Sequence, residues 1–435
     1  MRGGTAEPYG TSLPETGREG PDKMRFCMIS IFYPPYSFGG DAIYLHRLCT
    51  QLVAAGHEVD VIHCADSFHM FTRKVDAEAF PPRPGITVHK LESGVGVLSP
   101  LLSHQTGLPV LTRRKIAAIL ASKKFDVVHY HNVSLFGPGV LAIDPPHPAV
   151  RLYTAHEHWL VCPMNVLWKN NDRACDRPTC VSCTIRSGRP PQWWRYTNML
   201  ERAARHVDLF LTPSQSCREN HRNRGFAREM SVLPYFLPEP APEVAGDATI
   251  PPPRPYFLFV GRLEKVKGAQ KILHHFRGDG DYDLVIVGGG MYEDQLREQA
   301  KGMSRVRFTG WLNLDEIASY YRHSLAVVVP SITYETFGIV VIEAFAWKKP
   351  VIVHDLGALP ELVEESGAGF VYHTQGELRG HLDRLAGDRG LSRELGERGF
   401  SAFQEKWSPE PHLRLYHEYI RSVQERKFGA GPTPD

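Results

Sequence analysis

The sequence predicts an α/β protein built from two doubly wound parallel-sheet domains. Three observations carry this. From Met24 the chain alternates strand, loop, helix and strand; a proline-rich stretch at 238–255 breaks the alternation; and from Tyr256 the pattern begins again. Strands that alternate with helices pair in parallel and are covered by helices on both faces. A length of 435 residues suits two or three domains.

Residues 1–23 are rich in Gly, Pro, Glu and Arg and lack an apolar core, so they read as a disordered leader rather than a signal peptide. The first domain is expected over 24–237. Its opening strand is Arg25 to Phe32, followed by a loop with Pro34, Pro35, Gly39 and Gly40, a helix from about Asp41 to Ala55, and a strand from Glu58 to His63. Gly39 and Gly40, at the first strand–helix crossing, let backbone approach a ligand, or simply make a tight turn. Asp41 is either a catalytic acid or an N-cap. Residues 68–105 show no clear period and are expected to mix strand and loop, and 111–124 reads as a basic amphipathic helix.

The stretch FDVVHYHN is a strand on which His129 and His131 share a face. His131, at the carboxyl end, is placed to meet a ligand, whereas His129 reads as a sheet histidine. Another strand, Val150 to Ala155, ends in His156, Glu157, His158 and Trp159. A His-x-His pair is too few ligands for a metal claim. Helices are expected over Gln192 to Arg205. The linker is 238–255, the second domain 256–408, a last helix 409–426, and a tail 427–435.

In the second domain Tyr256 to Val260 is a strand followed by GRLEKVKG, and YDLVIVGGG is a strand ending in Gly288, Gly289 and Gly290. Asp279, Asp281 and Asp283 precede that strand at its amino end, away from where ligands bind, and read as a solvated turn. Trp311 and Leu312 follow a further strand and are candidates to border a base. The densest chemistry lies in LAVVVPSITYETFGIVVIE, from Leu325 to Glu343. A β-branched strand stops at Pro330, a loop follows, and an apolar helix carries Glu343 in its middle. A carboxylate there is costly unless paired or hydrogen-bonded. With Glu335 in the loop before the helix, the segment describes a site for a polar, anionic ligand.

Two glutamates eight positions apart in this setting resemble the retaining nucleotide-sugar glycosyltransferases of family 4, which have the GT-B fold of two Rossmann-like domains facing a cleft. The resemblance covers nearly all of residues 24–426. It implies that Glu335 holds hydroxyls of the donor hexose, that Glu343 grips the ribose diol, and that the amides of Thr336, Phe337 and Gly338 meet sugar and diphosphate. Arg262 and Lys267, in a loop after a strand, match the phosphate-binding pair of that family. Gly39, Gly40, Gly288 and Gly289 would border the donor. His131 and His156 would sit at the reacting end, with Asp41, Glu157 and Trp159 on the acceptor side. Fixed cations can replace a divalent metal, so catalysis is expected to be metal-independent. The chain departs from the family at Gly357-Ala358-Leu359 before Pro360-Glu361, and at Trp347-Lys348-Lys349.

The expected reaction moves a hexose-type sugar from a UDP- or GDP-sugar to a hydroxyl of a glycan, glycolipid or small molecule, with front-face attack preferred over double displacement. A sugar-nucleotide epimerase and a non-catalytic nucleotide-sugar or metal-binding module are the alternatives. The net charge of +2 points to no nucleic-acid partner. Eight cysteines in a chain of this length suggest a reducing cytoplasm rather than a disulfide scaffold. Four of them, Cys162, Cys175, Cys180 and Cys183, fall in one polar loop at 160–191 and suit a structural zinc site, with free thiols as the other reading. Trp193, Trp194, Arg195, Arg202 and Arg205, with helix 111–124, suit peripheral membrane contact; core aromatics and a solvated basic face are the alternative.

Overall fold

The computed structural model describes residues 23–72, 75, 80–240 and 253–429. The expected leader, most of the linker and the end of the tail lie outside the described residues. The first half forms a seven-stranded sheet. Its strands are β1 (Arg25–Ile29), β2 (Glu58–Cys64), β3 (Ile86–Leu91), β4 (Val127–Tyr130) and β5 (Val150–Thr154). After a two-stranded hairpin, β6 (Trp168–Lys169) with β7 (Arg173–Ala174), come β8 (Leu209–Thr212) and β9 (Met230–Val232). The sheet order is β3-β2-β1-β4-β5-β8-β9, all parallel.

The second half repeats the plan with β10 (Tyr256–Val260), β11 (Asp283–Val287), β12 (Val306–Gly310), β13 (Val327–Val329), β14 (Val351–His354) and β15 (Gly369–Tyr372). Its order is β12-β11-β10-β13-β14-β15, again all parallel. In both sheets the order reverses beside the first strand, opening a crevice at the carboxyl ends of β1 and β4, and of β10 and β13. The central strands are apolar on both faces because helices cover both sides: β11 and β13 are buried throughout, whereas the edge strands β3 and β12 are partly exposed.

The last helix, Pro409–Phe428, packs against the first domain. Tyr416 donates or accepts at His129 Nδ1 (2.8 Å), His412 Nε2 meets Tyr44 (3.1 Å), and Lys427 reaches Asp208 at 2.7 Å. Its buried face, Leu413, Tyr416, Ile420 and Val423, joins the core cluster that also holds Leu45 and Val341.

Several local expectations are corrected. Asp283 is no part of a solvated turn: it opens β11, is 1% exposed, and lies between Arg254 (3.5 Å) and Arg307 (3.7 Å). Arg254 comes from the segment ahead of β10 and Arg307 from β12, which a local pattern does not reveal. Within 68–105 a helix forms, Leu98–Thr106. The helices expected over Gln192 to Arg205 are a 3₁₀ turn, Trp193–Tyr196, and a short helix, Met199–Ala204.

Candidate active site

The loop after β13 bends back on the loop after β10. Gly268 allows this, since a Cβ there would stand 1.8 Å from the Pro330 carbonyl oxygen, and its φ of +76° is one that L-residues rarely adopt. The close approach brings Lys267 Nζ to 2.7 Å from Glu335 Oε1. The Ser331 hydroxyl donates to the same carboxylate at 2.6 Å. Burial pushes Glu335 up, but the charge and hydrogen bond of Lys267, the Ser331 bond and the charge of Arg262 outweigh it, so the carboxyl is held below its ordinary range. Arg262 is half exposed and held by Glu264 at 2.9 Å. Its charge bears on both Glu335 and Asp41, one in each domain.

Glu343 lies in the helix Ile339–Ala346, where the Tyr321 hydroxyl donates to its Oε2 at 3.0 Å. That hydroxyl, rather than an arginine, offsets the carboxylate. Gly338 precedes the helix at φ +108°, and Phe337 is buried against Tyr235 of the first domain, 5.1 Å between rings. The Thr336 hydroxyl donates to the His156 carbonyl (3.0 Å), and the Thr336 carbonyl accepts from Ser214 (2.7 Å). Thr336 therefore joins the two domains. Gly288, Gly289 and Gly290 pack on the backbone of 261–263 and on Trp311: a Cβ on Gly288 would meet the Gly261 carbonyl oxygen at 2.0 Å. Trp311 itself is 70% exposed.

On the opposing wall Gly39 and Gly40 start the helix Gly39–Ala54, and a Cβ on Gly40 would touch Ile339 at 3.0 Å. The N-cap position is Phe38, so Asp41 is not the cap but stands in the first turn, where Asn132 Nδ2 donates to its Oδ2 at 3.0 Å. Burial raises the Asp41 carboxyl despite that bond. Burial, and then the charge of Asp41, push Glu157 up to about 8. His131 and His156 stack with ring centroids 5.1 Å apart, and His131 Nδ1 lies 2.9 Å from His156 Nε2. His156 Nδ1 meets the Tyr235 hydroxyl at 2.5 Å. Burial lowers both imidazoles, His156 to about 3, so both are neutral. If Tyr235 donates to His156 Nδ1, His156 Nε2–H donates to His131 Nδ1, and His131 Nε2–H is left as a buried donor with no partner.

His129 is occupied by Tyr416 and Thr154, both at 2.8 Å. Trp159, expected on the acceptor side, is 1% exposed and packs on Trp194 and Arg195 in the core of the first domain. His158 turns away from His156 toward His221, with ring centroids 5.3 Å apart. Sequence reasoning passed over Tyr235, Asn132, Ser331 and Glu361, whose carboxylate accepts from the Gln215 (3.0 Å) and Ser216 amides at a helix start in the other domain. The position of Tyr235 just beyond β9, at the carboxyl end of the sheet, was the available signal.

Comparison with known proteins agrees with the two-domain fold. Residues 38–239 match the family described as Glycosyltransferase Family 4, and residues 242–401 match Glycosyl transferases group 1. A protein from Methanocaldococcus jannaschii described as an uncharacterized glycosyltransferase is 24% identical over 88% of this chain and 95% of its own. A D-inositol 3-phosphate glycosyltransferase from an Arthrobacter species is 25% identical over 91% of this chain and 94% of its own. Among solved structures, sucrose-phosphate synthase from Thermosynechococcus elongatus superposes with a TM-score of 0.71 at 21% identity, covering 93% of this chain and all of that one. With both of its domains matched and the two-sheet architecture shared, this chain belongs to the group 1, family 4 glycosyltransferases of GT-B fold.

Proposed function

We propose that the enzyme transfers a hexose-type sugar from a UDP- or GDP-sugar to a hydroxyl of a glycan, glycolipid or small molecule, with retention at the anomeric carbon. One observation carries this reading: Arg262, Lys267 and Glu335 stand on the carboxyl-end loops of one sheet, tied through Thr336 to His156 and its neighbour His131 on the other, where the charge of Arg262 also bears on Asp41. The two cations receive the charge that develops on the leaving diphosphate, in place of a metal ion. Glu335, kept ionised by Lys267, accepts from donor-sugar hydroxyls. Glu343 takes the ribose diol. The neutral His131 Nε2–H donates to the sugar at the reacting end. Asp41 and Glu157 contact the acceptor. The name of the Arthrobacter relative includes D-inositol 3-phosphate, a molecule with free hydroxyls, in keeping with a hydroxyl acceptor here. Among the described residues no side chain stands out as a covalent nucleophile, which favours front-face attack with the leaving phosphate taking the acceptor proton.

A thermal-shift screen of UDP- and GDP-sugars, followed by product mass with and without acceptor, tests the reading. Stabilisation by one nucleotide sugar and an acceptor-dependent product support it. Free nucleotide and an altered sugar without any acceptor would point to an epimerase, and binding without turnover to a non-catalytic module.

We propose further that the first domain touches a membrane surface while it works. No described helix is long and apolar enough to cross a membrane. The support is an apolar face: Leu98, Leu101, Leu102, Leu111, Trp193 and Tyr196 are each 40% or more exposed, and Trp194 Nε1 ties the Trp193 turn to His104 in the Leu98–Thr106 helix. Exposed Arg113, Arg114 and Lys115 follow directly. Trp194 and Arg195, expected at this surface, turn inward instead. Co-sedimentation with anionic vesicles, lost on replacing Leu98, Leu101 and Leu102 by Ser, is the expected result.

A further inference from the structure

The loop at 160–191 draws four cysteines from separate pieces of chain into one place. Cys162 lies in the turn beyond β5, Cys175 follows β7, and Cys180 and Cys183 sit on the short helix Cys180–Arg186. All four line a single cavity of about 20 Å³. That is room for one water-sized body. No carboxylate or imidazole lines it; Lys169 and Thr179 also border it, and the four cysteine sulfurs are the donors in it that suit zinc. The Asn170 amide donates to Cys183 Sγ at 3.3 Å, the kind of N–H···S bond that steadies a ligating sulfur.

Two further features ask for something at the centre. Asn165, Leu167, Asn170 and Asn171 all hold left-handed backbone, φ +70°, +49°, +55° and +56°. Such conformations persist where the surroundings over-determine them, and a hairpin of two residues per strand is a weak support. Charge is the second feature. Arg195, stacked over Trp194 at 4.6 Å, has a buried Nη2 with no partner. Its charge bears on Cys162 and Cys180, and those of Lys169 and Arg224 bear on Cys175. A zinc ion held by four thiolates carries two net negative charges, which these cations would balance.

We propose that Cys162, Cys175, Cys180 and Cys183 hold one zinc ion, and that this ion fixes the loop against the donor-binding segment. Binding is not a redox step: Zn²⁺ forms four Zn–S bonds and four thiol protons leave to solvent. No three of the four sulfurs lie mutually within 4.8 Å. Zinc at about 2.3 Å from each would set them about 3.8 Å apart, so loading draws the cavity inward. A competing cluster, His158, Cys217 and His221, is tighter, with all ligand atoms within 4.8 Å. There His221 Nδ1, 3.7 Å from Cys217 Sγ, is spent on the Cys217 carbonyl at 2.8 Å. His221 Nε2 and both His158 nitrogens have no hydrogen-bond partner among the described residues, so Cys217→Ser is the variant that separates the two sites.

The loop backs directly onto the segment that carries Glu335. Thr333 donates to the Val166 carbonyl at 2.8 Å, and Arg224, bonded to the Cys175 carbonyl at 2.9 Å, lies over Tyr334. The zinc site does not depend on which donor the enzyme uses.

Elemental analysis of protein purified without chelator should find about one zinc per chain, and cobalt-loaded wild-type protein should show thiolate-to-cobalt charge transfer with tetrahedral d–d bands. Cys180→Ser with Cys183→Ser should lose most of the metal and open residues 162–186 to limited proteolysis, while Cys217→Ser keeps it. A metal-free wild type whose four thiols titrate freely in the folded state would overturn the proposal. So would stoichiometric iron, a cobalt spectrum without thiolate bands, or metal lost with Cys217→Ser and kept without Cys180 and Cys183.

Discussion

Lys267 Nζ and Glu335 Oε1 stand 2.7 Å apart across 68 residues of sequence, at the ends of neighbouring strands. Neither partner is freely solvated, their side chains being 28% and 17% exposed. Removing the lysine would leave a mostly buried carboxylate without its main compensation.

Lys267→Ala should therefore reduce transition-state stabilisation by about 2–4 kcal/mol, the scale for losing one oriented charge stabiliser. It should also move the acid limb of the pH profile. With Lys267 in place the Glu335 carboxyl is depressed, so what it contributes is present above the ordinary carboxylate range and fades as pH falls through the lowered value. Without Lys267 that loss should begin at higher pH. An unmoved acid limb in kcat/KM would argue that Glu335 does not act as an anion. Brief exposure to EDTA should leave kcat unchanged in the wild type.

Glu343→Ala should weaken binding of free UDP or GDP, whereas Glu335→Ala should leave it nearly intact and reduce turnover. Calorimetric titration of the two variants with nucleoside diphosphate checks this. Equal damage in both would show that the two acids do not divide their work between ribose and hexose.

Tyr235→Phe removes the hydroxyl 2.5 Å from His156 Nδ1 without altering the ring that packs on Phe337. The hydrogen-bond order that presents a proton at His131 Nε2 is then no longer imposed. We expect kcat to fall about tenfold, near 1.4 kcal/mol, with little change in donor affinity. A kcat equal to wild type would mean that the Tyr235–His156–His131 chain is only structural.

Acid should destabilise the fold well above the usual carboxylate range. Burial lowers His156 and His412 to about 3, His63 and His221 to about 4, and His129, His131 and His158 well below the ordinary value. Below about pH 6.5 the unfolded chain binds protons that the native chain refuses, so stability falls as pH drops. Asp41, Glu157 and Glu361 are raised and act in the opposite sense, but the histidines outnumber them. Melting temperature should drop steadily from pH 7 to pH 5; a flat profile would contradict this. Because Glu157 is pushed up to about 8, acceptor KM should rise as pH passes that value.

What the sequence disclosed was what chemistry ties to strand ends. Arg262, Lys267, Glu335 and His131 were legible because charged or imidazole side chains right after apolar strands fall at the carboxyl edge of a parallel sheet. Tyr235 and Asn132 were not, since their partners His156 and Asp41 lie 79 and 91 residues away and no local spacing links them. Asp283 was misread because the two arginines beside it come from Arg254, ahead of β10, and from β12. The Leu98–Thr106 helix escaped notice because its leucines face outward and its N-cap is Val97, so it lacks both an inward apolar stripe and a capping signal. At Lys348, within the departure at Trp347-Lys348-Lys349, the backbone has φ +55°, which glycine adopts freely and lysine rarely does.

The most direct test of the account is proton NMR of the product formed from the nucleotide sugar that stabilises the enzyme and its acceptor. The account predicts a new glycosidic bond with the anomeric configuration of the donor, formed by wild type and formed far more slowly by Lys267→Ala. An inverted anomeric centre, or sugar release without any transfer to a hydroxyl, would contradict it.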